Sequence, residues 1–267
     1  MKKIDWKNKV VIITGATSGI GRALTEMLIE KYNCTVYGVA RSVKNNEELR
    51  NKYDAKYQPC TMDVTVRHSW EKMATFFKNC DTPPDVLINC AGILPKFSTV
   101  EGTDIDTYKR VMELNYFSCV YACDYLLPLL AKGGAVVNVS SASALCPFAG
   151  VSAYSASKAA LMRYTECLSH EATDVSVSLV MPGFVKTNIM NNQNASEKEA
   201  KLFDRFSADP VKTAKKMLKR VGGRKARIVL GADGHFLSGM YRLFPNMTPF
   251  IISGFLRKSG LDLFEKI

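Results

Sequence analysis

The stretch KVVIITGATSGIG, from Lys9 to Gly21, decides the fold. Its β-branched run ends at Thr14 and is typical of a strand, and an amphipathic pattern follows to about Lys31. Between them, glycines at 15, 19 and 21 allow a tight turn and close backbone approach. The helix start after the turn offers free N–H groups and the positive end of its dipole to a pyrophosphate. Strand, glycine turn and helix in this order indicate the first unit of a dinucleotide-binding fold.

The same alternation of strand and helix patterns continues along the chain. Six further apolar runs predict strands at Cys34–Ala40, Ala55–Val64, Pro84–Gly92, Gly134–Ser141, Val175–Gly183 and Ala226–Gly231. Helical patterns cover about Thr65–Asn79, Asp104–Leu130 and the segment around Tyr154 to about Glu171. Near-continuous apolar strands are typical of a sheet covered on both faces. We therefore predict one α/β domain over residues 1–267, with a doubly wound (Rossmann-type), seven-stranded parallel sheet and helices on both faces.

Composition and charge limit the partners of the protein. The 267 residues are 47% hydrophobic and carry a formal net charge of +11, which favours anionic partners such as phosphorylated cofactors, acidic substrates, anionic lipid or nucleic acid. No basic helix with base-reading residues, zinc finger or aromatic platform is visible, so we predict no nucleic-acid binding. Eight cysteines without CxxC pairs, and no export signal, predict reduced thiols in a cytoplasmic protein without a bound metal.

One apolar segment near the C-terminus raises the question of a membrane. Phe236–Leu256 is apolar, but Arg242, Pro245 and Pro249 interrupt it. A spanning helix needs about 20 mostly apolar residues without such breaks, so we predict no transmembrane span. A substrate lid, a dimer contact and peripheral membrane contact remain open for this segment.

The end of the second predicted strand bears on the choice of cofactor. Dinucleotide folds usually carry an acidic residue there to hold the adenosine ribose hydroxyl. This chain has Arg41 and Ser42 instead. A guanidinium suits a phosphate monoester and can lie flat against an adenine, which predicts NADP(H) over NAD(H). The alternative is an arginine that faces solvent.

The stretch GVSAYSASK places Tyr154 four residues ahead of Lys158, on one face of a predicted helix. The pair has two interpretations: a ring covered by a lysine stem, or a phenol that an ammonium makes acidic. A free tyrosine has a pKa near 10, so lowering it by about 3 units takes roughly 4 kcal/mol of preferential phenolate stabilisation. An ammonium about 4 Å away supplies a contribution of that order.

Seven short motifs in order make the chain resemble the short-chain dehydrogenase/reductase family across about residues 8–190. They are TGATSGIG (14–21), MDV with Asp63, NCAG (89–92), MELNYFS with Asn115, NVSS ending at Ser141, YSASK (154–158) and PGFVKT (182–187). Each motif alone is weak, but the full series in this order is specific. One departure is Cys90, where asparagine is commoner in the family, and it weakens a hydrogen bond of the sheet without touching catalysis.

The resemblance implies a role for each of four catalytic residues. Tyr154 would be the general acid/base, and Lys158 would acidify it and hold the nicotinamide ribose hydroxyls. The positive nicotinamide of the oxidised cofactor would add to that acidifying effect. Ser141 would hydrogen-bond the substrate oxygen. Asn115 would anchor, through backbone or water, a proton relay that reaches Lys158; the simpler interpretation is an asparagine on the helix surface.

The resemblance also implies a set of cofactor contacts. The residues of the glycine turn would bind the pyrophosphate. Arg41, Ser42, Asp63 and Val64 would contact the adenosine end, and the four residues from the PGFVKT motif would flank the carboxamide. The full set is Gly15, Thr17, Ser18, Gly19, Ile20, Gly21, Arg41, Ser42, Asp63, Val64, Asn89, Ala91, Gly92, Tyr154, Lys158, Pro182, Gly183, Val185 and Thr187. Asn89, Ala91 and Gly92 would act mostly through their backbone.

The C-terminal part, residues 190–267, resembles branches of the family that act on steroids, retinoids and long-chain lipids. We expect it to form a substrate loop and a divergent C-terminal segment. Apolar side chains near the catalytic segments are candidates for a substrate pocket, although core or dimer roles fit equally well: Leu145, Phe148, Phe184 and Met190. The helices that carry Asn115 and Tyr154 commonly form a dimer interface in similar proteins, which predicts a homodimer or homotetramer.

Together these features predict an NADP(H)-dependent oxidoreductase that interconverts a ketone and a secondary alcohol on a small apolar substrate. A steroid-like compound, such as a hydroxysteroid or bile acid, is the leading substrate class. A broad carbonyl or lipid/retinoid reductase is the first alternative. A non-catalytic NADP(H)-sensing protein is an alternative of another class, and the intact set of four catalytic residues argues against it.

Overall fold

The computed structural model describes residues 3–187, 189, 193, 207–223 and 227–258. Residues 256–258 are described by their backbone alone. Met190, most of the predicted loop Asn191–Lys201, Ala226 and the residues after 258 therefore lie outside the described residues. The predicted substrate loop and C-terminal segment are described only in part.

Seven parallel strands form one sheet, as predicted. They are β1 (Val10–Thr14), β2 (Thr35–Ala40), β3 (Tyr57–Thr61), β4 (Val86–Asn89), β5 (Ala135–Val139), β6 (Ser176–Pro182) and β7 (Arg227–Leu230). Their order is β3-β2-β1-β4-β5-β6-β7, and every neighbouring pair is parallel. The order reverses between β1 and β4, and this switch point is where doubly wound sheets bind ligands. The strands are shorter than the predicted ranges, because residues at the ends of those ranges lie in the segments that connect the strands to the helices.

Helices occupy the connections between the strands, and two more follow β7. They are α1 (Gly19–Tyr32), α2 (Val43–Tyr53), α3 (Arg67–Lys78), α4 (Ile105–Met112), α5 (Ser118–Leu126), α6 (Ser152–Glu171), α7 (Pro210–Arg220), α8 (Ala232–Leu243) and α9 (Thr248–Lys258). A π-helical turn, Glu113–Phe117, joins α4 to α5, so the predicted helix Asp104–Leu130 contains an irregular turn around Asn115. Sequence analysis missed α2, because only Asn46 and Leu49 in it are buried and the apolar periodicity is weak.

Two layers of side chains cover the sheet, which confirms helices on both faces. On one face Leu24 and Leu28 of α1 and Met217 of α7 belong to the same buried cluster as Ile13 of β1. On the other face Trp70, Leu126 and Leu168, from α3, α5 and α6, belong to a second cluster. Every residue of β5 and β6 is buried, which explains why these strands are almost continuously apolar.

The apolar segment Phe236–Leu256 does not form one helix. It divides into α8 and α9, with Pro245 between them. Within the described ranges, no helix combines the length and apolar character needed to cross a bilayer.

Candidate active site

The carboxyl ends of the central strands border a cleft of about 460 Å³. Nearly all the predicted site residues line it: Gly15, Thr17, Ser18, Gly19, Ile20, Gly21, Arg41, Ser42, Asp63, Val64, Ala91, Gly92, Ser141, Tyr154, Lys158, Pro182, Gly183, Val185 and Thr187. Two predicted residues, Asn89 and Asn115, lie behind the wall of the cleft. The topology thus brings together motifs that are up to 172 positions apart, from Gly15 to Thr187.

The glycine turn at one end of the cleft depends on the absence of side chains. Gly15 and Gly19 adopt positive φ angles of 68° and 50°, which favour glycine. A Cβ on Gly21 would lie 2.2 Å from the carbonyl oxygen of Gly15, so no side chain fits there. The hydroxyl oxygen of Thr14 accepts hydrogen bonds from the backbone N–H groups of Cys90 and Ala91, at 2.9 and 3.0 Å. The turn and the segment after β4 are therefore held together as a cradle that fits a pyrophosphate.

The adenosine end of the predicted site carries an available cation. Arg41 is exposed, lines the cleft and forms no hydrogen bond or ion pair with the described residues. Its neighbour Ser42 is already used, because its hydroxyl caps α2 by accepting from the Asn45 N–H at 3.2 Å. The carboxylate of Asp63 accepts from the backbone and hydroxyl of Thr65 at 2.9 and 2.8 Å. Arg41 is thus the residue of this group whose charged side chain has no partner among the described residues.

The predicted catalytic residues meet at the ends of β5 and α6. Ser141 follows β5, and its hydroxyl oxygen accepts from the Ser143 N–H at 3.2 Å, which orients it. Lys158 is buried, and its Nζ donates to the Val139 carbonyl at 3.0 Å and lies 5.9 Å from the ring centroid of Tyr154. The hydroxyl of Ser140 donates to the Lys158 carbonyl at 2.8 Å and ties α6 to the end of β5.

The protonation of this cluster differs from the sequence-based expectation. Burial is the largest influence on the Tyr154 phenol and raises its pKa, while a hydrogen bond with Ser141 acts in the opposite direction. Burial also lowers the pKa of the Lys158 ammonium. The expected acidification of Tyr154 by Lys158 is therefore not found among the protein's own groups. The reason is physical: both groups lose hydration in the cleft wall, and this loss disfavours their charged forms.

Asn115 is buried, so its interpretation as a helix-surface residue is wrong. Its Oδ1 accepts from the Ile93 N–H at 2.8 Å, and its Nδ2 donates to the Ile93 carbonyl at 2.9 Å and to Ser157 Oγ at 3.0 Å. The Ser157 hydroxyl donates to the Tyr154 carbonyl at 2.7 Å. A Cβ on Gly92 would lie 3.2 Å from Asn115 Oδ1 and 3.3 Å from Lys158 Nζ. Asn115 therefore anchors the backbone beside Lys158.

Asn89 has a different place from the one predicted. Its side chain lies between the sheet and α5, where Nδ2 donates to Asn138 Oδ1 at 2.8 Å and to Cys123 Sγ at 3.8 Å. It does not line the cleft, because the side chain of a strand's last residue can point into the neighbouring layer. The next residue, Cys90, does line the cleft, and burial raises the pKa of its thiol to about 12. Cys90 therefore stays protonated at neutral pH.

Asp233, which the sequence analysis did not single out, holds the loop after β6. Its carboxylate accepts from the Phe184 N–H at 2.6 Å. A Cβ on Gly183 would lie 2.0 Å from the same carboxylate, so the glycine makes room for it. Asp233 stands in the first turn of α8, and the C-terminal segment thus fixes a loop that lines the cleft. The available signal was the stretch GADG (231–234) directly after β7.

The apolar lining of the cleft differs from the predicted one. Leu145 packs against the buried cluster of Met162, Leu179 and Met181, whereas Phe148 and Phe184 are half-buried. Met190 is outside the described residues. The apolar side chains that line the cleft, and that sequence analysis missed, are Val39, Met62, Ile93, Leu94, Leu114, Val139 and Ile189. Val39 and Val139 belong to β2 and β5, whereas the other five, like Asn45, come from the segments between strands.

Comparisons with known proteins agree with this geometry. The family described as short chain dehydrogenase matches residues 9–198. Dehydrogenase/reductase SDR family member 7B from Bos taurus is 33% identical over 241 residues, which cover 84% of this chain and 74% of that protein. Benzil reductase ((S)-benzoin forming) from Saccharomyces cerevisiae is 33% identical over 195 residues, covering 69% and 74%. Estradiol 17-beta-dehydrogenase 2 from Rattus norvegicus is 33% identical over 211 residues, covering 75% and 55%.

Solved structures show the same fold. A short-chain dehydrogenase from Streptomyces avermitilis superposes with a TM-score of 0.76 at 27% identity, over 93% of this chain and 98% of that one. A short chain dehydrogenase from Burkholderia cenocepacia in complex with NADP has a TM-score of 0.78 at 24% identity, over 91% and 96%. Because the family match covers most of the chain and agrees with the sheet order and the cleft, this protein belongs to the short-chain dehydrogenase/reductase family of oxidoreductases.

Proposed function

We propose that the protein is an NADP(H)-dependent oxidoreductase that interconverts a ketone and a secondary alcohol on an apolar substrate. The observation that carries this proposal is the grouping of Ser141, Tyr154 and Lys158 in the wall of the cleft that begins at the glycine turn. The free guanidinium of Arg41 at the other end supports NADP(H), because it matches a phosphate monoester. NADP(H), when bound, supplies or accepts the hydride.

The protein's own groups would move the proton. In the reductive direction the Tyr154 phenol, which burial keeps protonated, donates its proton to the carbonyl oxygen of the substrate. The Ser141 hydroxyl donates a hydrogen bond to the same oxygen, and the Ser143 N–H holds Ser141 in place. Lys158, fixed by the Val139 carbonyl, supplies ammonium donors for the nicotinamide ribose hydroxyls. Asn115 keeps the adjoining backbone in register, where the proposed proton relay would begin.

The apolar side chains of the cleft favour an apolar substrate. Ile93, Leu94, Leu114 and Ile189 give the wall a hydrophobic character near the polar catalytic groups, which is the usual make-up of a small-molecule site. A steroid-like ketone or alcohol is the leading class, in line with the relative whose name is an estradiol dehydrogenase. A broad carbonyl reductase is the second candidate, and the relative named benzil reductase favours it.

A substrate panel tests this proposal. NADPH oxidation would be followed with ketosteroids, retinaldehyde and small aromatic diketones, each with and without the protein. We expect turnover with at least one ketone class, with the corresponding secondary alcohol as product. Preference for a ketosteroid would support the first candidate, and equal turnover of diketones would support the second. A protein that binds NADPH but reduces no carbonyl would overturn the proposal in favour of a cofactor-sensing role.

Reversing the charge of Arg41 is expected to change the cofactor preference. Arg41→Asp removes the donors for a phosphate and puts a like charge beside it, so the ratio of kcat/KM for NADPH to that for NADH should fall about 10- to 100-fold. Steady-state kinetics with both cofactors measure the ratio. Lys44→Asp is the matched control, because Lys44 is exposed on α2 and does not line the cleft. Equal turnover of both cofactors by the unaltered protein would contradict the assignment.

The pKa of Tyr154 predicts opposite pH profiles for the two directions. Because burial raises this pKa, the phenol stays protonated through neutral pH. Reduction needs the protonated form, so its kcat/KM should be flat between about pH 6 and pH 8 and fall in alkaline solution. Oxidation needs the phenolate and should rise with pH over the alkaline range. Initial rates in both directions at matched ionic strength measure the profiles, and a reduction rate that falls already below neutral pH would contradict the assignment.

A further inference from the structure

The two C-terminal helices expose a continuous set of large apolar side chains. We define the C-terminal apolar face as Leu243, Phe244, Met247, Phe250, Ile251 and Phe255. Phe250 is 81% exposed, Phe255 73% and Leu243 72%. The spacing of Met247, Phe250, Ile251 and Phe255 places them on one side of a helix. Single apolar residues scattered over a protein surface are common and need no explanation. A group of large apolar side chains exposed together, as here, marks an interaction site.

The inner side of the same helices packs on the protein. Thr248 is buried, and its hydroxyl donates to the Phe244 carbonyl at 2.7 Å. Ser253 Oγ accepts from the N–H of Ala149, in the segment between Ser141 and Tyr154, at 3.2 Å. The apolar face therefore belongs to a folded, seated element that lies beside the catalytic segment.

The charge of this region identifies the kind of partner. Within the stretch 234–261, which Asp233 and Asp262 bound, the sequence contains Arg242, Arg257 and Lys258 and no aspartate or glutamate, in a chain of net charge +11. Large apolar side chains together with cations and no acids match an anionic lipid surface. A second copy of the chain would bring the same cations onto the same face in a two-fold contact, which opposes pairing. With 12 and 11 residues, α8 and α9 suit a position in the plane of the interface.

We propose that the C-terminal apolar face docks the protein on the surface of an anionic bilayer. Phe250 and Phe255 enter the boundary between headgroups and acyl chains, and the exposed Arg242 meets the anionic headgroups. The catalytic segment next to Ser253 then lies close to the bilayer. Docking stands on the exposed face alone, whereas its consequence, uptake of an apolar substrate from the bilayer, rests on the proposed function.

Co-sedimentation with vesicles tests the docking. The full chain is mixed with phosphatidylcholine vesicles that contain about 30% phosphatidylserine, and separately with vesicles of phosphatidylcholine alone. We expect binding to the anionic vesicles, weaker binding to the neutral ones, and loss of binding by about tenfold or more in the double variant Phe250→Ser/Phe255→Ser. The control variant Val66→Ser/Phe76→Ser removes two half-exposed apolar side chains on and beside α3 and should bind like the unaltered protein.

The outcomes separate docking from catalysis. Size-exclusion chromatography and circular dichroism of both double variants establish that they fold. No binding of the unaltered protein to anionic vesicles, or equal binding by Phe250→Ser/Phe255→Ser, overturns the proposal. The proposal is also overturned if the unaltered protein is a dimer that binds no vesicles and Phe250→Ser/Phe255→Ser is a monomer, because the apolar face would then be a dimer interface. Vesicle binding by a protein that turns over no substrate would support docking and reject only the proposed function.

Discussion

Tyr154→Phe is expected to lower kcat for carbonyl reduction about 10²- to 10⁴-fold, the range over which a positioned general acid accelerates proton transfer. The change removes one oxygen atom from a half-buried ring and leaves the ring's shape. Because the proton donor is lost while the cleft stays intact, the dissociation constant for NADPH should change little. Single-turnover reduction and a fluorescence titration with NADPH measure the two quantities separately.

The same helix provides a matched control for this variant. Tyr164 also lies on α6, ten positions along, and lines a different hollow beside Phe117 and Tyr121. Tyr164→Phe removes the same atom from the same helix and should leave kcat within about twofold of the unaltered value. Turnover that survives in Tyr154→Phe would remove Tyr154 from its proposed role as the general acid. A parallel loss in Tyr164→Phe would instead indicate a change in the helix.

Gly21→Ala is expected to disrupt the cofactor cradle. The added Cβ would lie 2.2 Å from the carbonyl oxygen and 2.8 Å from the carbonyl carbon of Gly15, so backbone must move. Forced displacement of well-packed atoms costs about 1–3 kcal/mol or more. Because the atoms that must move belong to the turn, we expect the cost to appear as about 10- to 100-fold weaker NADPH binding, with a lower Tm. Titration calorimetry and thermal denaturation measure both effects.

Gly239 supplies the control for the glycine variant. It is also a helical glycine, but a Cβ there would meet no atom within 4 Å. Gly239→Ala should leave NADPH binding unchanged and leave stability equal or slightly higher, because alanine is the better helix former. Unchanged binding and Tm in Gly21→Ala would show that the turn can relax around a methyl group, and would contradict a cradle that depends on glycine at this position.

Local patterns in the chain were sufficient for the fold class and for most of the cleft. The apolar runs and glycine punctuation predicted seven parallel strands. Of the 21 predicted site residues, 19 line the cleft, and Asn89 and Asn115 lie behind its wall. This succeeds because parallel strands place their carboxyl ends at one edge, so residues at strand ends converge. The polar helix α2 escaped prediction because its short buried side gives little periodicity.

The sequence by itself determined the order of the seven strands, the glycine turn and most of the predicted residues that border the cleft, since these follow from local spacing and residue type. Only the tertiary structure decided the burial of Asn115, the inward position of Asn89, the clamp of Asp233 on the loop after β6 and the raised pKa of Tyr154. Each of these depends on atoms that are distant along the chain and meet only when the layers pack. Hydrogen-bond partners and desolvation are properties of that packing, and no local pattern encodes them.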